Sequence, residues 1–306
     1  MQNSNQLKYV KISNSQVLLH PQPKGVIQFV GSFIFGSFTA CAYKFLHEFL
    51  FARGYSLILY QFPLNPTQFN HWEVSLDLLK EQYVLKTAII KTLKLANTDR
   101  ESIDFYLQPA NYSWLGHSLG CKYIALLEVL SQDPLKRTPI LQHCLDENNA
   151  ERIIDSLNTM ESLRSSTDEA LDRVLPEPKP STQFFICNQP SVFLAPEISN
   201  TVRFLRSGWR VPSPWTNPNR GQTECLISSS KDLFNLTGII SFSSDDIAED
   251  DVAFLVEQIK SRHFQPYLSE ELAGCHFEPL HSQRIEILGE RIDRFFDTLR
   301  LRIAFD

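Results

Sequence analysis

Residues 112–127, Y-S-W-L-G-H-S-L-G-C-K-Y-I-A-L-L, constrain this chain more than any other stretch. An apolar run enters G-H-S-L-G, and apolar residues at helical spacing follow at once, which predicts a strand, a sharp turn and a helix. The residue at the tip of such a turn has a strained backbone. Side chains two positions before and after it would strike the strand and the helix, and Gly116 and Gly120 remove them. Ser118 is thereby held out of the sheet as the expected nucleophile. The first amide of the following helix, Leu119 N–H, points to the same place and is the expected oxyanion donor on that side.

Ahead of this turn the pattern alternates. Short strands are expected at 9–12 and 17–20, separated by Ser13-Asn14-Ser15, as an antiparallel sheet edge. A stronger strand at 25–30 runs into G-S-F-I-F-G at 31–36. A glycine-containing loop directly after a central strand is the usual source of a second oxyanion amide, so Ser32 N–H is the first candidate and Phe33 N–H the second. Ala42, Phe45, Leu46, Phe49 and Leu50 predict a helix over 38–51, stopped by Gly54. An apolar strand at 55–60, a loop with two prolines at 63–71, a long helix over 72–95 and a connector up to 109 follow. Strand, helix, strand, helix, strand argues a mostly parallel α/β sheet of about eight strands with helices on both faces. Ligands then sit at the carboxyl ends of the strands, where Ser32 and Ser118 fall.

Three parts are expected: a first core segment over 1–133, a helical cap insertion over 134–185 and a second core segment over 186–306. The insertion is polar, with helical patterns at 140–160 and 167–175 and then P-E-P-K-P at 176–180. Beyond it come a strand at 191–196, a helix at 199–206 and an irregular loop at 207–221. A strand at 237–242, a helix at 250–260, a last strand at 265–268, a loop at 273–279 and an amphipathic helix at 282–302 complete the chain.

Composition excludes several classes. With 306 residues and 43% hydrophobic content the chain can bury a large core. No apolar run approaches the span of a bilayer, and the N-terminus carries neither a signal nor a transit pattern, so a soluble cytoplasmic protein is expected. The six cysteines lack zinc-like spacing and are expected to be reduced thiols, with no metal or other cofactor. Net charge is −6 and the basic residues form no block interleaved with aromatics, which argues against a nucleic-acid partner.

A serine hydroxyl becomes a useful nucleophile when an imidazole takes its proton and an acid orients that imidazole. Of eight histidines, His276 lies in a late glycine-containing loop and is the expected base, with His281 its nearest rival. Asp246, a short turn beyond the 237–242 strand, is the leading acid. Asp245 takes its place if the strand register shifts by one, and Glu197, after the Ala195-Pro196 strand end, is a separate alternative.

Five blocks carry a resemblance: 25–36, G-H-S-L-G-C-K-Y at 116–123, S-V-F-L-A-P-E-I at 191–198, S-D-D-I at 244–247 and G-C-H-F-E-P at 274–279. Together they look like an α/β hydrolase. In particular they resemble a hydrolase-like family of uncharacterised function known from cyanobacteria and plant plastids. Val30-Gly31 stands where many α/β hydrolases have His-Gly. The resemblance implies the fold and a triad of Ser118, His276 and one of Asp245 or Asp246. The reaction expected is acyl transfer from a small-molecule ester, thioester or amide, with Phe33, Phe35, Trp209 and Trp215 pointing to an apolar substrate. The alternatives are a non-catalytic protein of this fold that binds a partner or hydrophobic ligand, and a lyase or transferase using the same triad.

Overall fold

The computed structural model describes residues 7–62, 70–175, 186, 189–198, 203–204, 209–210, 216–262 and 266–303. Val10–Ile12 (β1) and Ser15–Leu18 (β2) are an antiparallel pair at the sheet edge, turning through Ser13 at φ 54°. Gly25–Val30 (β3) follows, every residue buried, then Thr39–Ala42 (α1), Lys44–Ala52 (α2) and the equally buried Tyr55–Tyr60 (β4). The helices His71–Leu95 (α3) and Arg100–Leu107 (α4) lead to Tyr112–His117 (β5) and Leu119–Leu130 (α5). Pro134–Cys144 (α6) and Glu147–Val174 (α7) precede Ser191–Leu194 (β6). Arg203–Phe204 (β7) and Trp209–Arg210 (β8) are a separate antiparallel pair. Arg220–Ser229 (α8), Thr237–Phe242 (β9), Glu249–Lys260 (α9), Leu268–Leu272 (β10) and Ile285–Ile303 (α10) end the chain.

The sheet has the expected eight strands, in the order β1-β2-β4-β3-β5-β6-β9-β10. β2 meets β4 antiparallel, and every pairing from β4 to β10 is parallel. Strands buried on both faces need apolar cover on both sides. One core forms against α3, α5, α7, α8 and α9, with Trp72, Tyr83 and Trp114 among its largest members. The other forms against α2 and α10, around Phe29, Tyr43, Phe295 and Phe296. Because β3, β5, β6, β9 and β10 run in one direction, the loops leaving them share one edge of the sheet. That edge carries the expected site.

Several local expectations are corrected. The connector before β5 contains α4, because Asp99 accepts from Ser102 N–H as an N-cap and Ile103, Tyr106 and Leu107 are buried. The helical region after α5 breaks at 145–146 rather than between 160 and 167. Asp146 caps α7 through Asn149 N–H, and Leu157, Met160, Thr167 and Leu171 stay buried on one continuous helix that packs on α3. The last strand is Leu268–Leu272, in parallel register with β9, rather than 265–268. Residues 203–204 are strand, not helix, and they pair with 209–210 in the expected loop. The expected loop at 63–69, the proline-rich 176–180, Trp215 and the remainder of 199–215 lie outside the described residues.

Among the described residues no helix is long and apolar enough to cross a membrane. Cys144 and Cys225, 81 residues apart in sequence, form a disulfide, which corrects the expectation of reduced thiols. The packing of α6 on α8 brings them together, and no local spacing signals it. Such a bond runs against the expected cytoplasmic location, since disulfides are rare in reducing compartments. Alkylation of denatured protein should therefore leave Cys144 and Cys225 unmodified until a reductant is added, as read by peptide mass.

Asp293 of α10 fastens the second core to the sheet. Its carboxylate accepts from Lys24 Nζ at 2.5 Å, Arg53 Nη2 at 2.8 Å and Tyr55 Oη at 2.7 Å. Burial works to raise its pKa, but hydrogen bonds from Lys24, Tyr55 and Arg53 outweigh it and hold the group below the ordinary Asp value. A depressed folded-state pKa contributes stability above the unfolded value that is lost as pH falls through the folded one. Asp293→Ala should cost about 3 kcal/mol near neutral pH. Below about pH 3.9, the ordinary Asp value, the gap between variant and wild type should narrow in denaturant titrations.

Candidate active site

Ser118 sits between β5 and α5 at φ 56° and ψ −122°, a region non-glycine residues rarely occupy. Two close approaches require the flanking glycines. A Cβ on Gly120 would lie 2.1 Å from the Val30 carbonyl oxygen, and one on Gly116 would lie 2.8 Å from Ile124 Cδ1 and 3.0 Å from Cys121 Cα. Ser118 N–H donates to Leu194 O at 2.9 Å, and Glu197 N–H donates to Ser118 O at 3.2 Å, so the elbow is bonded to the end of β6. That end is itself strained, with Ala195 at φ 44°.

The loops after β9 and β10 bring the other groups in. Ser118 Oγ lies 2.9 Å from His276 Nε2, and His276 Nδ1 lies 2.9 Å from Asp245 Oδ2 and 3.1 Å from Oδ1. Ser118, His276 and Asp245 are all buried. Asp245 Oδ1 also accepts from Ile247 and Ala248 N–H, and Ser244 N–H donates to Gly274 O, bonding the two loops together. Burial works to raise the Asp245 carboxyl, but the bond to and charge of His276 and these amides prevail and hold its pKa below the usual value.

The acid position assigned first to Asp246 therefore falls to its neighbour. Asp245 follows Ser243 and Ser244 in a turn closed by Asp245 N–H on Phe242 O, and that turn directs its carboxylate to the imidazole. Glu197 is not behind His276 either. Its Oε2 lies 3.2 Å from Ser118 Oγ, on the nucleophile itself. His281 is exposed on its loop.

Ser32 is also corrected as an oxyanion donor. Its N–H donates to Tyr43 Oη at 2.9 Å, because Gly31 lets the Tyr43 ring approach the loop closely. Phe33 N–H is the next amide along. Leu119 opens α5, where the first amides have no acceptor within the helix.

Sequence reasoning passed over two buried residues that join these loops. Tyr43 O–H donates to His117 Nδ1 at 2.8 Å, and His117 Nε2–H donates to the His276 carbonyl at 2.8 Å. Burial, and next the charge of His276, lower the His117 pKa to about 3, so the ring is neutral and holds the tautomer this line needs. From Ser32 N–H through Tyr43 and His117 to His276, one line of hydrogen bonds ties the β3 loop, the elbow and the base loop. The available signal was the histidine inside G-H-S-L-G, next to Ser118 in sequence.

Among the described residues, two groupings bring three metal-ligating side chains together. One is His143 with Cys144 and Cys225, whose cysteines are already joined, and the other is Cys275 with Glu278 and His281. Neither contains a residue of the Ser118 cluster.

The family described as "Protein of unknown function (DUF1350)" matches residues 8–289. No curated protein matches the chain. Among solved structures, carboxylesterase Cest-2923 from Lactobacillus plantarum WCFS1 is similar with a TM-score of 0.51 at 8% identity, covering 96% of each chain. The esterase domain of a Rhodothermus marinus protein has a TM-score of 0.46 at 15% identity, covering 94% of this chain and 98% of that one. The fluorophosphonate-binding serine hydrolase F of Staphylococcus aureus has a TM-score of 0.46 at 10% identity, covering 94% and 91%. The first likeness shows an α/β-hydrolase-type fold.

Tyr43→Phe removes the hydroxyl that bridges Ser32 and His117. It should cost about 1–2 kcal/mol in thermal or denaturant unfolding. It should also slow fluorophosphonate labelling of Ser118 by about tenfold, because the His276 loop loses part of what positions it.

Proposed function

We propose that this chain, which belongs to the DUF1350 family, is a serine hydrolase of small-molecule esters, thioesters or amides. The observation that carries the reading is the continuous line of hydrogen bonds from Ser118 Oγ to His276 to Asp245, with 2.9 Å at each step. On this reading His276 Nε2 takes the Ser118 proton as Oγ attacks the carbonyl carbon. Asp245 holds the imidazole in the tautomer that leaves Nε2 free to accept, and balances the imidazolium that forms. Leu119 N–H and Phe33 N–H are the proposed oxyanion donors. Collapse of the tetrahedral intermediate hands the proton to the leaving group and leaves an acyl-enzyme, which water opens by the same route.

Phe277 stacks edge-on against His276 at 5.3 Å and Phe35 against Phe277 at 6.2 Å, which supports an apolar group on the substrate near the base. The 134–185 insertion, whose helices pack on α3 and α8, is the proposed cap. The intact relay favours catalysis over a purely binding role.

A fluorophosphonate probe should label the wild type at Ser118 and fail on Ser118→Ala. Asp245→Asn should slow ester turnover by roughly 10³–10⁴, whereas Asp246→Asn should change it less than about twofold. Well-folded wild type that resists the probe would overturn the hydrolase reading, and the opposite ranking of the two aspartates would overturn the choice of acid.

A further inference from the structure

Counting protons at Ser118 leads beyond the triad. Its hydroxyl carries one proton and has two partners in hydrogen-bonding range, His276 Nε2 at 2.9 Å and Glu197 Oε2 at 3.2 Å. His276 Nδ1 faces the Asp245 carboxylate, so when the ring serves as base Nδ1 carries its proton and Nε2 is the acceptor. An ionised Glu197 would be a second acceptor for the same proton. When His276 acts as the acceptor, a neutral carboxyl group satisfies both contacts, by donating to Oγ while Oγ–H donates to Nε2.

We propose that Glu197 is a further catalytic residue, whose carboxyl O–H donates to Ser118 Oγ and so directs the serine's own proton to His276. The inference rests on the serine-hydrolase reading. Acylation forms the carbon–Oγ bond and sends the serine proton through His276 to the leaving group, while Glu197 keeps its proton. In deacylation water adds to the acyl carbon, His276 takes a water proton, the carbon–Oγ bond breaks and His276 returns a proton to Oγ. The Glu197 donor favours this last step, because it stabilises the charge that collects on the departing oxygen.

The surroundings of Glu197 support the neutral form. The side chain is buried, and its other oxygen, Oε1, has no hydrogen-bond partner among the described residues. A buried carboxylate left so poorly solvated is costly. Among the described residues, the groups facing it are Cys121, Lys122 and Tyr123 of α5, Asp251 of α9, and Ser118 and His276 of the site. Burial raises the Glu197 pKa to about 7, opposed by the charge of His276 and reinforced by Asp251. Its position is built by the backbone: Ala195 turns at φ 44°, Pro196 follows, and Glu197 N–H returns to Ser118 O at 3.2 Å.

The test is the rate of fluorophosphonate labelling between pH 6 and pH 9. Two pH units above a pKa leave about 1% of a group protonated. Relative to Glu197→Gln, which keeps the same His276 base, the wild-type rate should therefore fall at least about tenfold over this range. Glu197→Gln presents an amide donor at every pH, so its rate should not fall between pH 6 and pH 9. Glu197→Ala, with no donor, should be slowed at both ends. A ratio of wild-type to Glu197→Gln rates that stays constant from pH 6 to pH 9 overturns the proposal. So does a Glu197→Gln profile that falls as the wild type does. Wild type that is unlabelled at every pH instead removes the hydrolase reading, and this inference with it.

Discussion

The backbone of Ser118 is the constraint on which the rest of the site depends. A non-glycine residue at φ 56° is held there at a cost of order 1–3 kcal/mol, and such a conformation persists only where its surroundings over-determine it. Here they do so from three sides. β5 is paired with β3 and β6, the Ser118 amide is bonded to Leu194 O, and Gly120 allows α5 to press against the Val30 carbonyl. The strained residue is thus wedged between two central strands and a buried helix, and the cores on both faces supply what offsets it.

Strain at one strand end is matched at the next. β5 and β6 run side by side, and each is followed by a non-glycine residue with positive φ, Ser118 and Ala195. The two turns bond to each other through Ser118 N–H on Leu194 O and Glu197 N–H on Ser118 O. Neither turn is therefore free to relax alone. Tyr43 and His117 extend this rigidity sideways, from the β3 loop to the carbonyl of His276, so the base is fixed through its main chain as well as through Asp245.

Much of this was legible in the sequence because it follows from local rules. Glycines two residues either side of Ser118, apolar strands and the chain order of serine, acid and histidine each state a backbone requirement in short range. What was missed depends on geometry that no short window contains. The choice between Asp245 and Asp246 turns on how one bend after β9 aims its side chains. The loss of Ser32 as a donor depends on Tyr43, eleven residues on, placing a hydroxyl over its amide. The disulfide joins helices 81 residues apart, and the helix at 100–107 was hidden by a polar surface that obscured Ile103, Tyr106 and Leu107.

Glu197 shows how a residue can be placed at the site for one reason and found there for another. Its place just after a strand end suggested an acid behind the histidine, and that position belongs to Asp245. The same strand end instead brings its carboxyl group to Ser118 Oγ, where burial is the largest influence on its pKa. Two carboxyl groups thus stand on opposite ends of one relay in contrasting settings. Asp245 accepts from an imidazole and two amides and stays ionised, while Glu197 has one oxygen on a hydroxyl and the other unpartnered among the described residues. Environments that separate the pKa values of two like groups suit them to different tasks: on the proposed reading one orients the base, and the other steadies the oxygen that the base activates.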